Sequence, residues 1–310
     1  ISKNGVTADE ILDFSLISGD EVVTGTKVFE TTPEIVNIPT KNRDAVNKIY
    51  VDTLFGVSKI TTETYQGAYG LNWNETADTY ARTGAAGYKS VQARMRRCVL
   101  NADGSVNYYL HPTDSTKKVD GSAAKLDGTD GNVMVEIPKF YYKYNYNTAS
   151  GVVHEHSISL TPDSGYVVHP AFVREGVEVE YRYRAAYDGY RRGGKLLSIS
   201  GVYPSTNATI TQFRTDARAN GAGWEQLDWL LHEAITLLCI IEYGTMNIQA
   251  ALGQGRTALS GGSWANGSYY GISGLSNSLG NGSGNVTYTG YADDVGADGS
   301  FMSYRGVENL

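Results

Sequence analysis

From about residue 58 to 215 the pattern of apolar and polar positions reads mostly as β-strands. Residues 99–100 and 106–110 flank Asn101-Ala102-Asp103-Gly104-Ser105, which reads as a hairpin with Asp-Gly in its turn. Residues 132–137 read as a strand running into Pro138, with 139–144 continuing it. Residues 177–184 alternate strictly, Val and Tyr on one face and Glu and Arg on the other, which predicts one half-exposed strand. One long helix is expected to open near Gly223-Trp224, with acidic residues in its first turns, and to end at Gly244. Its second half, residues 234–241, is apolar almost all round and must be buried on several sides. A shorter helical or irregular segment follows at 247–252.

The first 57 residues have a different texture. They hold four aromatics and no tryptophan, with strand-like pieces that end at Pro33 and Pro39. Between 40 and 54, Val46, Ile49, Tyr50, Thr53 and Leu54 recur at helical spacing and leave one narrow apolar stripe. So short a helix is marginal alone, so the stripe needs a partner. Packing on the following domain is one answer. Contact between copies around a symmetry axis, through Val46, Ile49, Tyr50 and Leu54, is favoured because the segment is too thin to make a core.

Composition sharpens this picture. The 310 residues carry a net charge of -7 with only 19% charged and 11% aromatic side chains, which argues against a disordered chain. The acidic balance disfavours nucleic acid as a partner, because phosphate neutralisation needs clustered Lys and Arg. No apolar run is long enough for a membrane span, so no membrane insertion is expected. The chain starts at Ile1 with no initiator Met, as expected of a processed or partial product. Two cysteines, Cys98 and Cys239, form no metal or redox spacing, and a structural disulfide between them is not expected.

Glycine (36) and tyrosine (23) are in surplus. Tyrosines near 108, 141–146 and 181–190 fall in strands, where packing accounts for them. After Gly253 the chain turns to Gly, Ser, Asn and Tyr for nearly sixty residues, punctuated by large apolar side chains. Rigid aromatic faces among small hydrogen-bonding residues are the chemistry of antibody loops. Trp264, Asn266, Tyr269, Tyr270, Asn277, Asn281, Asn285, Tyr288 and Tyr291 supply it, and are the expected receptor-binding residues. The competing reading makes these aromatics staples of an irregular core.

Several motifs occur together. Residues 95–100 and 103–110, then 126–142, Gly165-Tyr166-Val167-Val168-His169-Pro170-Ala171-Phe172 and the 218–224 entry to the long helix resemble bacteriophage fibre and adhesin proteins. The resemblance covers roughly residues 85–310. It implies an α+β, β-rich fold: a fibrous trimerisation segment, then a globular region ending in a C-type-lectin-like, formylglycine-generating-enzyme-like module. The expected divisions are 1–57 for attachment and trimerisation, 58–205 for a β-rich domain and 206–310 for the lectin-like module. Residues 39–52 separately resemble an element repeated in trimeric phage fibres. In the family, residues like Tyr304-Arg305-Gly306-Val307-Glu308-Asn309 lead into a further Trp-rich region, so the closing part of the module is expected to be missing.

The resemblance implies a virion fibre subunit, a homotrimer that joins other virion proteins through its N-terminal segment. It would bind a host-surface glycan or protein without chemistry, exposed on the particle. The alternatives are a structural head or tail decoration and a glycan-cleaving tailspike. No catalytic residues, metal or cofactor are expected. Asn101, Asp103, Ser105 and Asn107, and the cluster Asp293, Asp294 and Asp298, offer oxygen donors without EF-hand order, and turn chemistry explains them more simply. His154-Glu155-His156 places two rings on one side of a strand, yet a solvated loop before a strand is the favoured reading. Asp127, Asp130 and Asp188 sit beside glycines in turn-like contexts rather than as a catalytic pair. The basic run Arg182, Arg184, Arg191, Arg192 and Lys195, interleaved with tyrosines, is expected to be a solvated strand and turn paired with Glu178 and Glu180.

Overall fold

The computed structural model describes residues 67–84, 89–149, 151, 153–253, 255, 272–276, 279, 281–286 and 299–310. The proposed trimerisation residues Val46, Ile49, Tyr50 and Leu54 lie outside them. The described residues belong to one compact unit, β-rich with a few helices.

Two five-stranded antiparallel sheets carry the architecture. The first runs β2 (Thr79–Thr83), β1 (Tyr69–Asn74), β8 (Val153–Ser159), β7 (Tyr141–Asn147) and β9 (Val167–Val168). The second runs β12 (Tyr181–Ala185), β6 (Asn132–Pro138), β3 (Arg96–Leu100), β4 (Val106–His111) and β5 (Asp114–Lys118). Smaller ladders join β10 (Val173–Arg174) to β11 (Val177–Glu178), and β13 (Tyr190–Arg192) to β14 (Lys195–Leu197). Near the C-terminus, β15 (Gly282–Val286), β16 (Gly299–Tyr304) and β17 (Val307–Glu308) form a three-stranded sheet. Among the described residues, three helices follow the two large sheets in the chain: α1 (Ile210–Arg218), α2 (Trp229–Tyr243) and α3 (Ile248–Leu252).

The hairpin expected at 99–110 is present as β3 and β4. Its turn is closed by Asp103, whose carboxylate accepts from the Ser105 backbone N–H at 2.9 Å and hydroxyl at 2.6 Å. Hydrogen bonds from Ser105 hold the Asp103 carboxyl below its usual range. The Asp103 and Ser105 oxygens are thus engaged in turn chemistry. Asp114, Asp120 and Asp127 cap their own turns in the same way, onto Thr116, Ser122 and Thr129.

Three expectations need correction. Residues 132–144 are not one strand: Lys139 and Phe140 carry the chain from the second sheet to the first, and Phe140 is fully buried. Nor is 177–184 one strand, since β11 and β12 belong to different ladders. Exposure does not follow the alternation: Val177 is 65% and Tyr181 46% exposed, whereas Val179 and Tyr183 are half-buried like Arg182 and Arg184, and Glu178 and Glu180 are exposed. Alternation marks two faces but does not say which is covered. Finally, the long helix starts at Trp229, not near 223. Asp228 caps it, accepting from Leu231 N at 2.8 Å, and the preceding segment is fastened elsewhere by the Trp224 indole donating to Ala102 O at 2.9 Å. Gly244 ends it as expected, in the left-handed region at φ 71°. Helix α1 lay in the interval between the predicted strands and the predicted long helix. Its signal is a capping box between Thr209 and Gln212, but only Asp216 and Ala217 of it are buried.

The α2 helix runs through the core. Ala234, Ile235, Leu238, Cys239 and Ile241 join Leu71 and Ile158 of the first sheet and Val99, Val133, Val135 and Ile137 of the second. Tyr304 and Val307 enter the same cluster, so the core draws on the chain from residue 69 to the C-terminal strands. Both cysteines are free and buried, and burial pushes the Cys239 thiol up to about 12.

Buried ions fasten the C-terminal strands. Arg97, fully buried, donates to Gly306 O, Ser115 Oγ, Ser276 O and Ser276 Oγ at 2.6–2.9 Å. Glu242 on α2 receives Arg305 at 2.6 Å, Asn281 at 3.1 Å and Lys89 at 3.2 Å. Burial raises the Glu242 carboxyl, but Arg305 and Lys89 outweigh it and leave the group below its ordinary value. Among the described residues no helix is long and apolar enough to cross a membrane.

Candidate functional site

The first sheet places a row of rings on one face. In β7, Tyr142, Tyr144 and Tyr146 point the same way because side chains alternate along a strand. The register sets Tyr144 opposite His156 and Tyr146 opposite His154 in β8. His154 in turn lies opposite Trp73 in β1, and Trp73 opposite Tyr80 in β2. Four strands therefore contribute to one surface. Its inner end is core, with Tyr69, Leu71 and Ile158 buried. Its outer end is open, with Tyr144 49% and Tyr146 52% exposed.

A close approach of strands holds the platform. A Cβ on Gly70 would lie 1.9 Å from the His156 carbonyl oxygen, so only glycine lets β1 and β8 pair at this point. The Trp73 and His154 rings stack at 4.9 Å and 23°. Tyr146 meets His154 edge-on at 5.2 Å, and Tyr144 lies 5.1 Å from His156. Such pairs hold each other's orientation, so the surface is stiff.

Polar atoms rim the rings. The Tyr144 hydroxyl is 2.9 Å from His154 Nδ1, and the Glu75 carboxylate is 3.1 Å from Nε2. The two ring nitrogens of His154 thus face different partners, Glu75 on one side and the Tyr144 hydroxyl on the other. Asp78 accepts from the Tyr80 hydroxyl at 3.0 Å and the Trp73 indole at 3.4 Å. Burial lowers the affinity of His156 for a proton, and His154 adds to that, with Glu233 opposing. Flat apolar faces edged by hydroxyl, imidazole and carboxylate groups can stack on the C–H side of a sugar and bond its hydroxyls. They can equally take an aromatic or polar protein surface.

The histidine pair at 154 and 156 thus sits in a strand amid rings, which corrects the solvated-loop reading. Tyr144 and Tyr146 correct the assignment of the 141–146 tyrosines to packing. The signal present in the sequence is the alternation Tyr142, Tyr144, Tyr146, which places the three rings on one side of the strand. Trp73 and Tyr80 carried no signal of their own. They meet only because a hairpin folds β2 onto β1.

Of the expected receptor-binding residues, Trp264, Asn266, Tyr269, Tyr270, Asn277, Tyr288 and Tyr291 lie outside the described residues. So do Asp293, Asp294 and Asp298. Asn285 is placed in β15, with Ser300 of β16 as its partner. Asn281 is tied within the fold: its amide donates to Glu242 at 3.1 Å, and its carbonyl accepts from Arg305 N at 2.8 Å.

Three members of the basic run bond groups other than Glu178 and Glu180, which pair with Lys139. Arg182 bonds Asp228 at 2.6 Å and also Ala171 O, and Arg191 bonds Asp216 at 2.5 Å. Arg192 donates to Asp127 O at 2.9 Å. Sequence neighbours lost because the pairing partners arrive from α1 and the α2 cap. Asp130 accepts from the Tyr108 hydroxyl at 3.1 Å and Asp188 from Asn309 at 3.0 Å, both as structural ties. Comparison with family models, with curated proteins and with solved structures finds no match to this chain.

Proposed function

We propose that the chain is a bacteriophage fibre or adhesin subunit that binds a host-surface glycan or protein without chemistry. The observation that carries the reading is the ring platform of Trp73, His154, Tyr144 and Tyr146, stiffly held, half-exposed and rimmed by Glu75 and Asp78. The family resemblance of residues 85–310 supports it from the sequence side, and with it a C-type-lectin-like module at 206–310. A homotrimer joined to the virion through residues 1–57 is implied by the separate resemblance of residues 39–52 to an element of trimeric phage fibres. Three copies of a weak site raise avidity without new contacts.

Binding of the full chain to a glycan array and to whole host cells tests the reading. Trp73→Ala with Tyr146→Ala is expected to remove binding. Unchanged binding in that variant removes the platform as the receptor site. Loss in Tyr269→Ala with Tyr270→Ala and Tyr288→Ala instead would move the site to the C-terminal segment. Release of reducing sugar would replace the adhesin with a glycan-cleaving spike. Light scattering of the full chain should give three copies, and a monomer excludes the trimer.

A further inference from the structure

A cavity of about 770 Å³ opens beside β12, the edge strand of the second sheet. It is bounded by that strand, by α1, by the segment leading into α2 and by residues 308–309. Its size falls in the ordinary range for small-molecule sites. Tyr181, Tyr183, Phe213 and Trp224 give it aromatic walls.

The cations on its wall are not equivalent. Arg174 and Arg182 both bond the Asp228 carboxylate, at 3.2 and 2.6 Å. Arg184 lies opposite Val135 in the register, on the core-facing side of β12. Its Nε is sealed from solvent and makes no hydrogen bond. A guanidinium so placed is costly, because a buried donor without an acceptor loses its hydration and gains nothing in return. Burial pushes Arg184 below its ordinary value, and Asp188 opposes this without cancelling it. The charge is also felt at His232, whose proton affinity falls through burial and through Arg184. Asp188 is itself bonded to Asn309.

We infer that this cavity binds a carboxylate-bearing sugar unit, a uronic or sialic acid residue, with its carboxylate on the Arg184 guanidinium. Guanidinium and carboxylate match in shape as well as charge, and charge-assisted bonds of this kind are the strong ones. The aromatic walls accept the ring of the sugar. The carboxylate half of the inference rests on Arg184 alone, and the sugar half rests on the receptor reading above. The site is separate from the ring platform, so each can fail without the other.

The test uses the full chain with D-glucuronate and N-acetylneuraminate as probes, and with D-glucose, acetate and inorganic phosphate as controls, followed by calorimetry and ligand-observed NMR. Both sugar acids are expected to bind, and glucose to bind at least about tenfold more weakly, the worth of a charged hydrogen bond. Arg184→Met should weaken the sugar acids by the same factor while raising the thermal midpoint by about 2–4 °C, because it removes a sealed donor that has no acceptor. A merely structural arginine would lower the midpoint instead. Arg184→Lys keeps the charge without the fork and should retain only part of the affinity. Absence of sugar-acid binding to the unmodified chain overturns the site, as does binding that Arg184→Met leaves unchanged. Acetate or phosphate binding as tightly as the sugar acids overturns the ligand class. Sugar acids held through Arg184 in a chain that binds no cells would leave this site standing and remove the adhesin. Cell binding lost in the Tyr146→Ala variant, with no sugar acid bound, would do the reverse.

Discussion

On the outer face of the second sheet, Glu136 is closed off, its side chain 2% exposed, and it accepts from Arg96 at 2.6 Å, Tyr109 at 2.8 Å and Tyr183 at 3.0 Å. On the ring face of the first sheet, Glu75 keeps 54% of its side-chain surface and touches one ring nitrogen of His154. The chemical groups are the same: a carboxylate, tyrosines and a cationic or imidazole partner. On the second sheet the phenols point inward to a shared carboxylate, and Arg96 lies 3.7 Å over the Tyr109 ring. On the first sheet Tyr144 and Tyr146 stand in water with stacked rings beneath. A polar cluster that satisfies itself is a fastening, whereas one that keeps half its surface open is available to a partner. That difference is why the proposed binding face is the one on the first sheet.

The largest effect should come from breaking the closed cluster. Glu136→Ala leaves Arg96 and two phenols without their acceptor, and is expected to cost about 3 kcal/mol in urea unfolding. Glycan binding at the ring platform should survive in the folded fraction. A loss of binding at unchanged stability would reverse the roles of the two faces. Next comes Gly70→Ala, where the new methyl must push β1 away from β8. It should cost about 2 kcal/mol, as overpacking does, and should also disturb Trp73–His154 stacking, visible as a shift in tryptophan fluorescence. A stability loss with unchanged fluorescence would show that the platform does not depend on the strand approach.

How much of this was legible in the sequence depends on how far the partners came from. The β3–β4 hairpin and the Gly244 helix end were readable because Asp-Gly and Gly act through their own backbone. The switch at Lys139-Phe140 was not, since an apolar run looks the same whether it stays in one sheet or crosses to another. The Glu136 cluster joins residues 96, 109, 136 and 183, and the ring platform joins 73, 80, 144, 146 and 154. Both need strand register, which a single sequence does not provide. The tyrosine surplus itself was visible, but its division between packing and exposure was assigned wrongly for 144, 146 and 181.

Acid should separate the fastened parts from the open face. The Glu242 carboxyl lies below its unfolded value, so its stabilisation is complete above the unfolded pKa of about 4.3 and is lost as pH falls through the lower folded value. Urea midpoints measured from pH 6 downward should therefore drop below about pH 4.5. The Glu242→Gln variant should be less stable at neutral pH and flatter below it. Equal slopes in the two proteins would mean that the bonds from Arg305 and Lys89 do not hold the C-terminal strands.

The smallest effect on stability belongs to the residue on which the comparison turns. Tyr146 is 52% exposed, its hydroxyl has no hydrogen bond among the described residues, and its ring touches His154 by an edge. Tyr146→Ala removes that one contact and some area already in water, so the unfolding free energy should change by less than about 1 kcal/mol. If the ring face binds a receptor, the same change should still weaken binding by tenfold or more, because exposed aromatics are where interface energy concentrates. A core residue behaves the other way, losing stability first and binding only with the fold. A Tyr146→Ala protein that melts several degrees early would place Tyr146 with the fastenings. One that melts normally and no longer binds would place it with the partner.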